Sequence, residues 1–577
     1  SHGPSAARQP PFLPARRRLR IPGRGRGAVA ARARRSAAST AGLRPGRVAD
    51  VGGREARVSD GFFGRARARL LSLGRDAMVA VPPAHRFFNR RLINRYANAA
   101  PARPGPWSMG FERTAWAGLV ERRYSGRHLP PDCERPLPDA EAVIDLFRRT
   151  EDRRATDTSL LFPFFAQWFT DSFLRTKWKP PEIQDFAENE SNHEIDLCQI
   201  YGLSEAQSDM LRAHEGGKLK SQWIDGAEWP VFLFEERDGA MRVRPEFAGL
   251  YSPENFARVF DGWTEEQKRT AFAVGLEHGN STIGNTMMNA LFLREHNRVA
   301  WTLAQAHPDW SDELLFQTAR NVVTVELLRI VIMDYIVHIA PVAFPLRIDP
   351  GVAERERWYR TNRISVEFAL LYRWHDLIPD TVEFGGATLP AEAMLRDNAL
   401  AMRLGIEGMA RDASRQKAGR IGLGNTADFL LDVKRASLKM ARVCRLQPFN
   451  AYREHFGLTP ITRFDALTGE SVLSDRLSEL YRSIDDLEWF VGIFAEAYGA
   501  KDMMGPLMVT MVAHDAFTQA LTNPLLAERV YGPETFTPEG LAIIEATTTL
   551  GDVIARNSEV ETPEEVGFVA REPAPEG

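Results

Sequence analysis

The chain has 577 residues, of which 44% are hydrophobic and 26% charged, with a formal net charge of −3 at pH 7. This composition is typical of a globular protein that buries a large core and has room for a cofactor, as one large domain or two closely fused ones. The three cysteines are widely spaced, which excludes a disulfide framework or a CxxC metal site and favours a reducing, cytoplasmic compartment.

The first 58 residues form an Arg-rich head, composed largely of Ala, Gly, Pro and Arg without hydrophobic periodicity, and we expect it to be disordered. Residues 1–60 hold 14 arginines and only three acidic residues, so the head is basic and the remaining chain is acidic. A basic arm for anionic partners, a targeting peptide and sequence foreign to the native protein are the competing interpretations. We favour the last and assign the head no chemistry.

Residues 59–106 interleave aromatic and aliphatic residues with arginine, which predicts a basic amphipathic helical segment. Such a helix could lie on a membrane surface, which would make the protein peripheral on the membrane, or it could dock on the body with its arginines in solvent. The sequence leaves both interpretations open.

The segment 107–560 is predicted to be one mainly α catalytic domain, followed by a flexible tail at 561–577. Helical periodicity is clear in "DELLFQTARNVVTVELLRIVIMDYIVHI" (312–339) and "RLSELYRSIDDLEWFVGIFAEAYG" (476–499), whereas strand patterns such as "WPVFLFEE" and "MRVRPEF" are few and short. No run is long and apolar enough for a transmembrane helix. Nucleotide-binding, serine-hydrolase and zincin motifs are absent, and nothing predicts nucleic-acid binding.

The stretch "LYRWHDLIPD" (371–380) places Tyr372 and His375 three residues apart in a mostly apolar run. In a helix this spacing puts both side chains on one face, where they could serve a single buried group or simply be two polar members of a core helix. No two histidines have the i, i+4 spacing of a helical metal site. A single axial histidine on a haem iron is therefore the economical metal hypothesis.

Several colinear blocks give the chain a resemblance to the animal-type haem peroxidase superfamily and, within it, to the cyclooxygenase and fatty-acid dioxygenase branch. The resemblance covers about residues 86–550 and implies a mainly α fold with a haem buried between helices. The epidermal-growth-factor-like module of the animal cyclooxygenases has no counterpart here. The blocks are "FFAQWFTDSF" (164–173), "LFLREHNRVAWTLAQAHPDWSDELLFQTAR" (291–320), "YRTNRISVEFALLYRWHDLIPD" (359–380), "SRQKAGRIGLGN" (414–425), "RLQPFNAYREHFGL" (445–458) and "IDDLEWFVGIF" (484–494).

The resemblance assigns roles to individual residues. His375 matches the proximal ligand of the iron of haem b, and Tyr372 matches the tyrosine whose radical removes hydrogen from a fatty acid. Gln167 matches the distal glutamine, which would contact the haem and assist catalysis. Asp171 stands where the family has its distal histidine, and it could move a proton less effectively or be a salt-bridged structural residue. His296, in the block "REHNR", is expected to be structural.

Three further positions concern the substrate. Arg95 lies near the family's carboxylate-binding arginine, although Arg90 and Arg91 compete for this role. Ala516 replaces the serine that aspirin acetylates in animal cyclooxygenase, and Val342 replaces a tyrosine at the channel mouth. Prostaglandin synthesis is therefore not implied.

The leading hypothesis is a haem-dependent oxygenase that uses peroxide for activation and adds O2 to a fatty-acid-like substrate through a tyrosyl radical. One alternative is a haem peroxidase-fold enzyme that oxidises another small molecule. The other is a haem-binding protein that has lost distal catalysis. A homodimer is left open.

Overall fold

The computed structural model describes residues 79–100, 123–180, 184–340, 345–360 and 362–571. The predicted head (1–58) and two parts of the predicted basic segment (59–78 and 101–106) lie outside the described residues.

The described chain is mainly α, as predicted. Its α-helices are α1 Pro82–Ala97, α2 Ala140–Asp145, α3 Leu161–Thr170, α4 Cys198–Tyr201, α5 Glu205–Leu211, α6 Pro253–Phe260, α7 Glu265–Arg269, α8 Ile283–Ala306, α9 Asp312–Ile330, α10 Ile336–Ile339, α11 Val366–Leu371, α12 Asn398–Arg415, α13 Leu431–Val443, α14 Phe449–His455, α15 Phe464–Thr468, α16 Ser471–Leu480, α17 Trp489–Ala495, α18 Pro506–Ala520, α19 Pro533–Glu545 and α20 Leu550–Asn557.

The strands are short and form two-stranded antiparallel sheets, in which β1 (Arg154–Ser159) pairs with β8 (Lys417–Gly419), β2 (Ser221–Ile224) with β3 (Ala227–Pro230), β4 (Phe234–Arg237) with β5 (Ala240–Val243), and β6 (Thr381–Phe384) with β7 (Ala387–Pro390). Three of these sheets are hairpins whose two-residue turns are Asp225–Gly226, Asp238–Gly239 and Gly385–Gly386, all with positive φ. Asp-Gly and Gly-Gly pairs are suited to such turns because both central residues must adopt the left-handed region.

The 24-residue helix α8 is the centre of the core and packs against α3, α9 and α12. Its N-terminus is capped by Thr282, whose hydroxyl accepts a hydrogen bond from the Asn285 amide. On α3, Trp168 stacks on Phe292 with ring centroids 4.5 Å apart and donates Nε1–H to Asn289 at 2.8 Å. These contacts fix the position of α3, which carries the predicted distal residues.

The helical run predicted over 312–339 is confirmed, with one irregularity. After α9, residues Val331–Tyr335 form a π-helical turn before α10 resumes. A π turn inserts a residue into the helix and changes the direction of the side chains around it, and such turns are frequent at functional sites. Here it positions the buried Tyr335. Within the described ranges no helix combines the length and apolar character needed to span a bilayer.

The predictions for the segments 476–499 and 561–577 need correction. The helical pattern at 476–499 is not one helix, because α16 ends at Leu480 and α17 begins at Trp489, with a 3-10 turn between them. The predicted tail is also wrong over 561–571, where Val566 and Phe568 are buried in the core. Backbone hydrogen bonds tie this segment to β1, including one from the Ser159 amide to the Phe568 carbonyl at 2.8 Å.

The basic helix α1 docks on the body through one face. His85, Asn89, Ile93 and Ala97, spaced by four residues, are buried, and Asn89 donates to the Arg347 carbonyl at 2.9 Å. This is the arrangement expected of a docked helix. Contact with a membrane surface stays a prediction.

Candidate functional site

Tyr372 and His375 do not share a helical face. Helix α11 ends at Leu371, Tyr372 has φ −90° and ψ 25°, and His375 begins a separate 3-10 turn. The expectation of one helix is wrong. The Arg373 carbonyl oxygen, which a continuing helix would use internally, accepts a hydrogen bond at 2.9 Å from Lys434, 61 positions away in the chain.

The His375 imidazole is neutral. Burial lowers its pKa to about 3, and the positive charges of Lys434 and Arg373 add to this effect. Its Nδ1 is buried and makes no hydrogen bond of normal geometry with a described residue, although a contact with the Arg373 backbone partly opposes the fall in pKa. A neutral imidazole with an unused nitrogen is the form that binds a haem iron.

Tyr372 lies in an aromatic environment beside this histidine. Its ring centroid is 4.4 Å from that of Trp374 and 5.1 Å from that of Phe368. Burial, and secondarily the Asp515 carboxylate, raise the pKa of the phenol, whose oxygen has no partner in the described structure. Tyr335 offers a second buried phenol oxygen without a partner, and burial and then Tyr372 raise its pKa. The sequence analysis did not identify Tyr335.

Helix α3 is packed against the Tyr372 segment. Phe162 stacks with Trp374 at 6.3 Å between ring centroids, and Phe173, just beyond the helix, stacks with Phe368 at 5.8 Å. All α3 residues are buried except Gln167, which is exposed. A single accessible polar residue on a buried helix is consistent with a distal residue that faces a cofactor.

Asp171 follows the last residue of α3, and burial raises the pKa of its carboxyl group to about 6. Arg175 and Arg373 oppose this rise, whereas Glu277 adds to it. Arg175 forms an ion pair with Glu277 at 2.8 Å, and no ion pair joins Asp171 to a described residue. The salt-bridged structural role for Asp171 thus lacks a partner, and the carboxyl group can exchange a proton near neutral pH.

The predicted carboxylate-binding arginines are on α1 and all three are exposed. Arg90 forms an ion pair with Glu356, and the Arg95 guanidinium lies 5.9 Å from the ring centroid of Tyr96. The role of Arg95 in substrate binding stays a prediction.

Of the two predicted channel residues, Ala516 and Val342, the structure describes only Ala516. Ala516 is buried, with 5% exposure, on α18, directly after the Asp515 that influences Tyr372. Val342 lies outside the described residues.

A polar cluster near Tyr372 was missed by the sequence analysis. His128 Nε2 lies 3.1 Å from both carboxylate oxygens of Asp515, and His514 and Arg360 interact electrostatically with the same carboxylate. His128 and Asp515 are 387 residues apart in the chain, so no local spacing could reveal the contact.

His296 has the structural role predicted for it. Its Nδ1 lies 2.8 Å from the Tyr201 hydroxyl and its Nε2 lies 2.9 Å from the Gly217 carbonyl oxygen. Both ring nitrogens are therefore used within the protein. His375 and His514 differ, because each keeps one buried ring nitrogen without a partner in the described part of the chain.

Solved structures with a similar fold include the fatty acid alpha-dioxygenase of Arabidopsis thaliana, with a TM-score of 0.63 and 16% identity over 85% of this chain and 89% of that one. The fatty acid alpha-dioxygenase of Oryza sativa has a TM-score of 0.61 and 16% identity, covering 81% of this chain and 88% of that one. Peroxidase A of Dictyostelium discoideum has a TM-score of 0.60 and 18% identity, covering 81% and 98%. These likenesses support the predicted fold.

Proteins found by sequence comparison have a higher identity to this chain than these solved structures do. Prostaglandin G/H synthase 1 of Mus musculus is 33% identical over 461 residues, which cover 78% of this chain and 73% of the relative. Prostaglandin G/H synthase 2 of Bos taurus is 31% identical over 489 residues, covering 82% and 77%. Residues 172–567 match the family described as animal haem peroxidase, and the match runs past the predicted domain end at residue 560. The chain therefore belongs to the animal haem peroxidase family.

Proposed function

We propose that this protein is a haem-dependent oxygenase of the cyclooxygenase-like branch, which adds O2 to a fatty-acid-like substrate through a radical at Tyr372. The observation that carries the proposal is the buried, unpartnered phenol of Tyr372 three residues before a neutral histidine with an unused ring nitrogen. The names of the relatives, prostaglandin synthases and fatty acid alpha-dioxygenases, support an acyl substrate.

The residues present fit a haem, which we propose to be haem b. His375 would hold the iron, and Gln167 would contact the cofactor. When bound, the haem supplies the oxidising equivalent, drawn from peroxide, that removes one electron and one proton from the Tyr372 hydroxyl. Burial favours this chemistry because it keeps the phenol in its neutral form and away from solvent reductants.

Tyr372 then acts on the substrate. Its oxygen radical takes a hydrogen atom from an activated C–H bond, which restores the phenol and leaves a carbon radical. O2 adds to that carbon to give a peroxyl radical, which takes a hydrogen atom from the restored Tyr372 hydroxyl, so that the product is a hydroperoxide and the Tyr372 radical forms again. A buried aromatic environment formed by Phe368 and Trp374 holds the phenol in one orientation, and Arg95 is proposed to hold the substrate carboxylate.

Asp171 favours a second candidate function, a peroxidase-fold enzyme that oxidises a different small molecule. With its pKa near 6, the carboxyl group can still accept the proton of a peroxide, although less effectively than an imidazole would. A haem-binding protein without distal catalysis is the third candidate.

Oxygen consumption by the haem-loaded protein distinguishes these functions. We expect uptake with some members of a panel of saturated and unsaturated fatty acids in the presence of trace peroxide, and weaker uptake with their methyl esters, which lack the carboxylate. Arg95→Gln should lower uptake of the acids but not of the esters, with Arg86→Gln, at an exposed arginine of the same helix, as the control. Oxidation of phenolic donors without fatty-acid oxygenation would favour the peroxidase instead.

A further inference from the structure

His128, His514 and Asp515 form a buried cluster that the proposed oxygenation does not use. Each offers a ligand atom, and these atoms all lie within 4.8 Å of one another. His514 is 0% exposed, and the side chains of His128 and Asp515 are 7% and 5% exposed. The three residues come from the loop before α2 and from α18, so the fold itself brings them together.

We propose that this cluster is a second metal site, which binds a divalent transition-metal ion of the Zn²⁺ class. Two imidazoles and one carboxylate are a ligand set that such ions prefer, and three protein ligands leave a further position for water or another small ligand.

The orientation of His514 is the strongest argument for a bound ion. Its Nδ1 lies 3.2 Å from the Tyr96 carbonyl oxygen, to which it can only donate a hydrogen bond. This places the proton on Nδ1 and leaves the Nε2 lone pair free, and Nε2 is buried without a partner in the described structure. Metal-binding histidines are commonly held this way, with one ring N–H on a backbone carbonyl and the other nitrogen on the metal.

His128 and Asp515 are already placed as ligands. The Nε2–H of His128 donates to the Asp515 carboxylate, whose two oxygens both lie 3.1 Å away, so a metal ion would replace this proton and bind the same atoms after a small separation. The His128 backbone is held as well, since its amide donates to Glu367 Oε1 at 3.2 Å.

The charge around the cluster also favours a cation. Glu367 is fully buried, its Oε1 accepts from the Tyr452 hydroxyl at 2.9 Å, and its Oε2 has no partner among the described residues. Arg360 is the opposing cation near Asp515. Burial lowers the pKa of His128, but the Asp515 and Glu367 carboxylates raise it further, so the net pKa lies above its usual value and the cluster already favours positive charge beside Asp515.

This site is separate from the proposed haem site. It contains neither His375 nor Gln167, and its link to the oxygenase chemistry is the Asp515 carboxylate, which influences the Tyr372 phenol. A cation bound at Asp515 would reduce that influence. The proposal stands whether or not the protein oxygenates fatty acids.

Zinc content of the full-length protein tests the proposal. The protein is treated with a chelator, dialysed against Zn²⁺ and then against buffer, and its zinc and iron are counted by mass spectrometry. We expect about one zinc per chain in addition to any haem iron. His514→Gln and Asp515→Asn should lower zinc affinity about tenfold or more, as expected for loss of a ligand or its support. His214→Ala, which removes an exposed histidine, should not.

Thermal unfolding with and without Zn²⁺ provides the second readout. A metal that binds the native state raises the Tm, so zinc should raise the Tm of the wild type and of His375→Ala, but not that of His514→Gln. Wild-type protein that takes up no zinc overturns the proposal. Folded His514→Gln and Asp515→Asn that bind zinc as tightly as the wild type would overturn it as well.

Discussion

Lys434 donates a hydrogen bond to Asp376 at 2.9 Å, and both side chains are completely buried. The same ammonium group donates to the Arg373 carbonyl at 2.9 Å and lies 3.7 Å from the ring centroid of Phe494. Lys434 thus holds the chain on both sides of His375, through the carbonyl two residues before it and the carboxylate directly after it. The proposed ligand is positioned by a buried ion pair.

Removing one partner of this pair should be strongly destabilising. Lys434→Met leaves the Asp376 carboxylate buried without its cation, and we expect the free energy of unfolding to fall by about 3–5 kcal/mol. The double variant Lys434→Met/Asp376→Asn should recover part of this loss because neither charge of the Lys434–Asp376 pair remains. Urea unfolding measures both. Arg355→Ala, which breaks an exposed ion pair with Glu528, is the control, and a Lys434→Met loss no larger than the control's would contradict the account.

His375→Ala should abolish or greatly weaken the Soret absorption of the haem-loaded protein, because it removes the proposed axial nitrogen. His307→Ala, in a partly exposed contact with Glu539, should leave the spectrum unchanged. An unaltered Soret band in folded His375→Ala would show that another residue binds the iron.

Asp171→His should raise turnover of hydrogen peroxide with a phenolic donor by about tenfold or more, since a positioned imidazole is the better proton shuttle at neutral pH. Steady-state kinetics at pH 7 compare it with the wild type. If the wild type already turns over peroxide as fast as the variant, the explanation of weak distal catalysis is wrong.

The raised pKa of Asp171 also predicts a pH-dependent change in stability. A carboxyl group whose pKa is about 6 in the folded state binds its proton more tightly than in the unfolded chain, where the pKa is 3.8. The stabilising contribution of this carboxyl group to the free energy of unfolding is fully present below pH 3.8 and is lost as the pH rises through 6. Asp171→Asn should therefore gain stability relative to the wild type between pH 4.5 and 7.5, by about 1–3 kcal/mol. Urea unfolding at both values checks this, with the exposed Asp432→Asn as a control that should gain nothing. If the free energies of unfolding of Asp171→Asn and the wild type differ by the same amount at both pH values, the raised pKa of Asp171 is contradicted.

Local patterns in the sequence were enough to predict the helical body. The periodicity of α9 depends only on neighbouring residues. The features that the sequence did not predict involve contacts between residues far apart in the chain. The chain after Leu371 contacts Lys434 on α13, and residues 561–571 pack on β1, so in both places the partners are distant in the chain.

The candidate site was predictable only in part for the same reason. His375 and Tyr372 were found from a colinear resemblance, whereas Tyr335 owes its place to a π turn that periodicity does not indicate. The cluster of His128 and Asp515 is formed by residues 387 positions apart, and neither residue stands out by itself.

Oxygen uptake by Tyr372→Phe, compared with Tyr335→Phe, tests the central claim most directly. Phenylalanine keeps the ring packing of either tyrosine but lacks the oxidisable hydroxyl, and both phenols are equally without partners in the described structure. We predict that folded, haem-loaded Tyr372→Phe loses peroxide-initiated oxygen uptake with a fatty acid yet still oxidises phenolic donors, and that Tyr335→Phe keeps most of its uptake. Oxygenation by Tyr372→Phe at the wild-type rate would contradict a radical at Tyr372 and would favour the peroxidase.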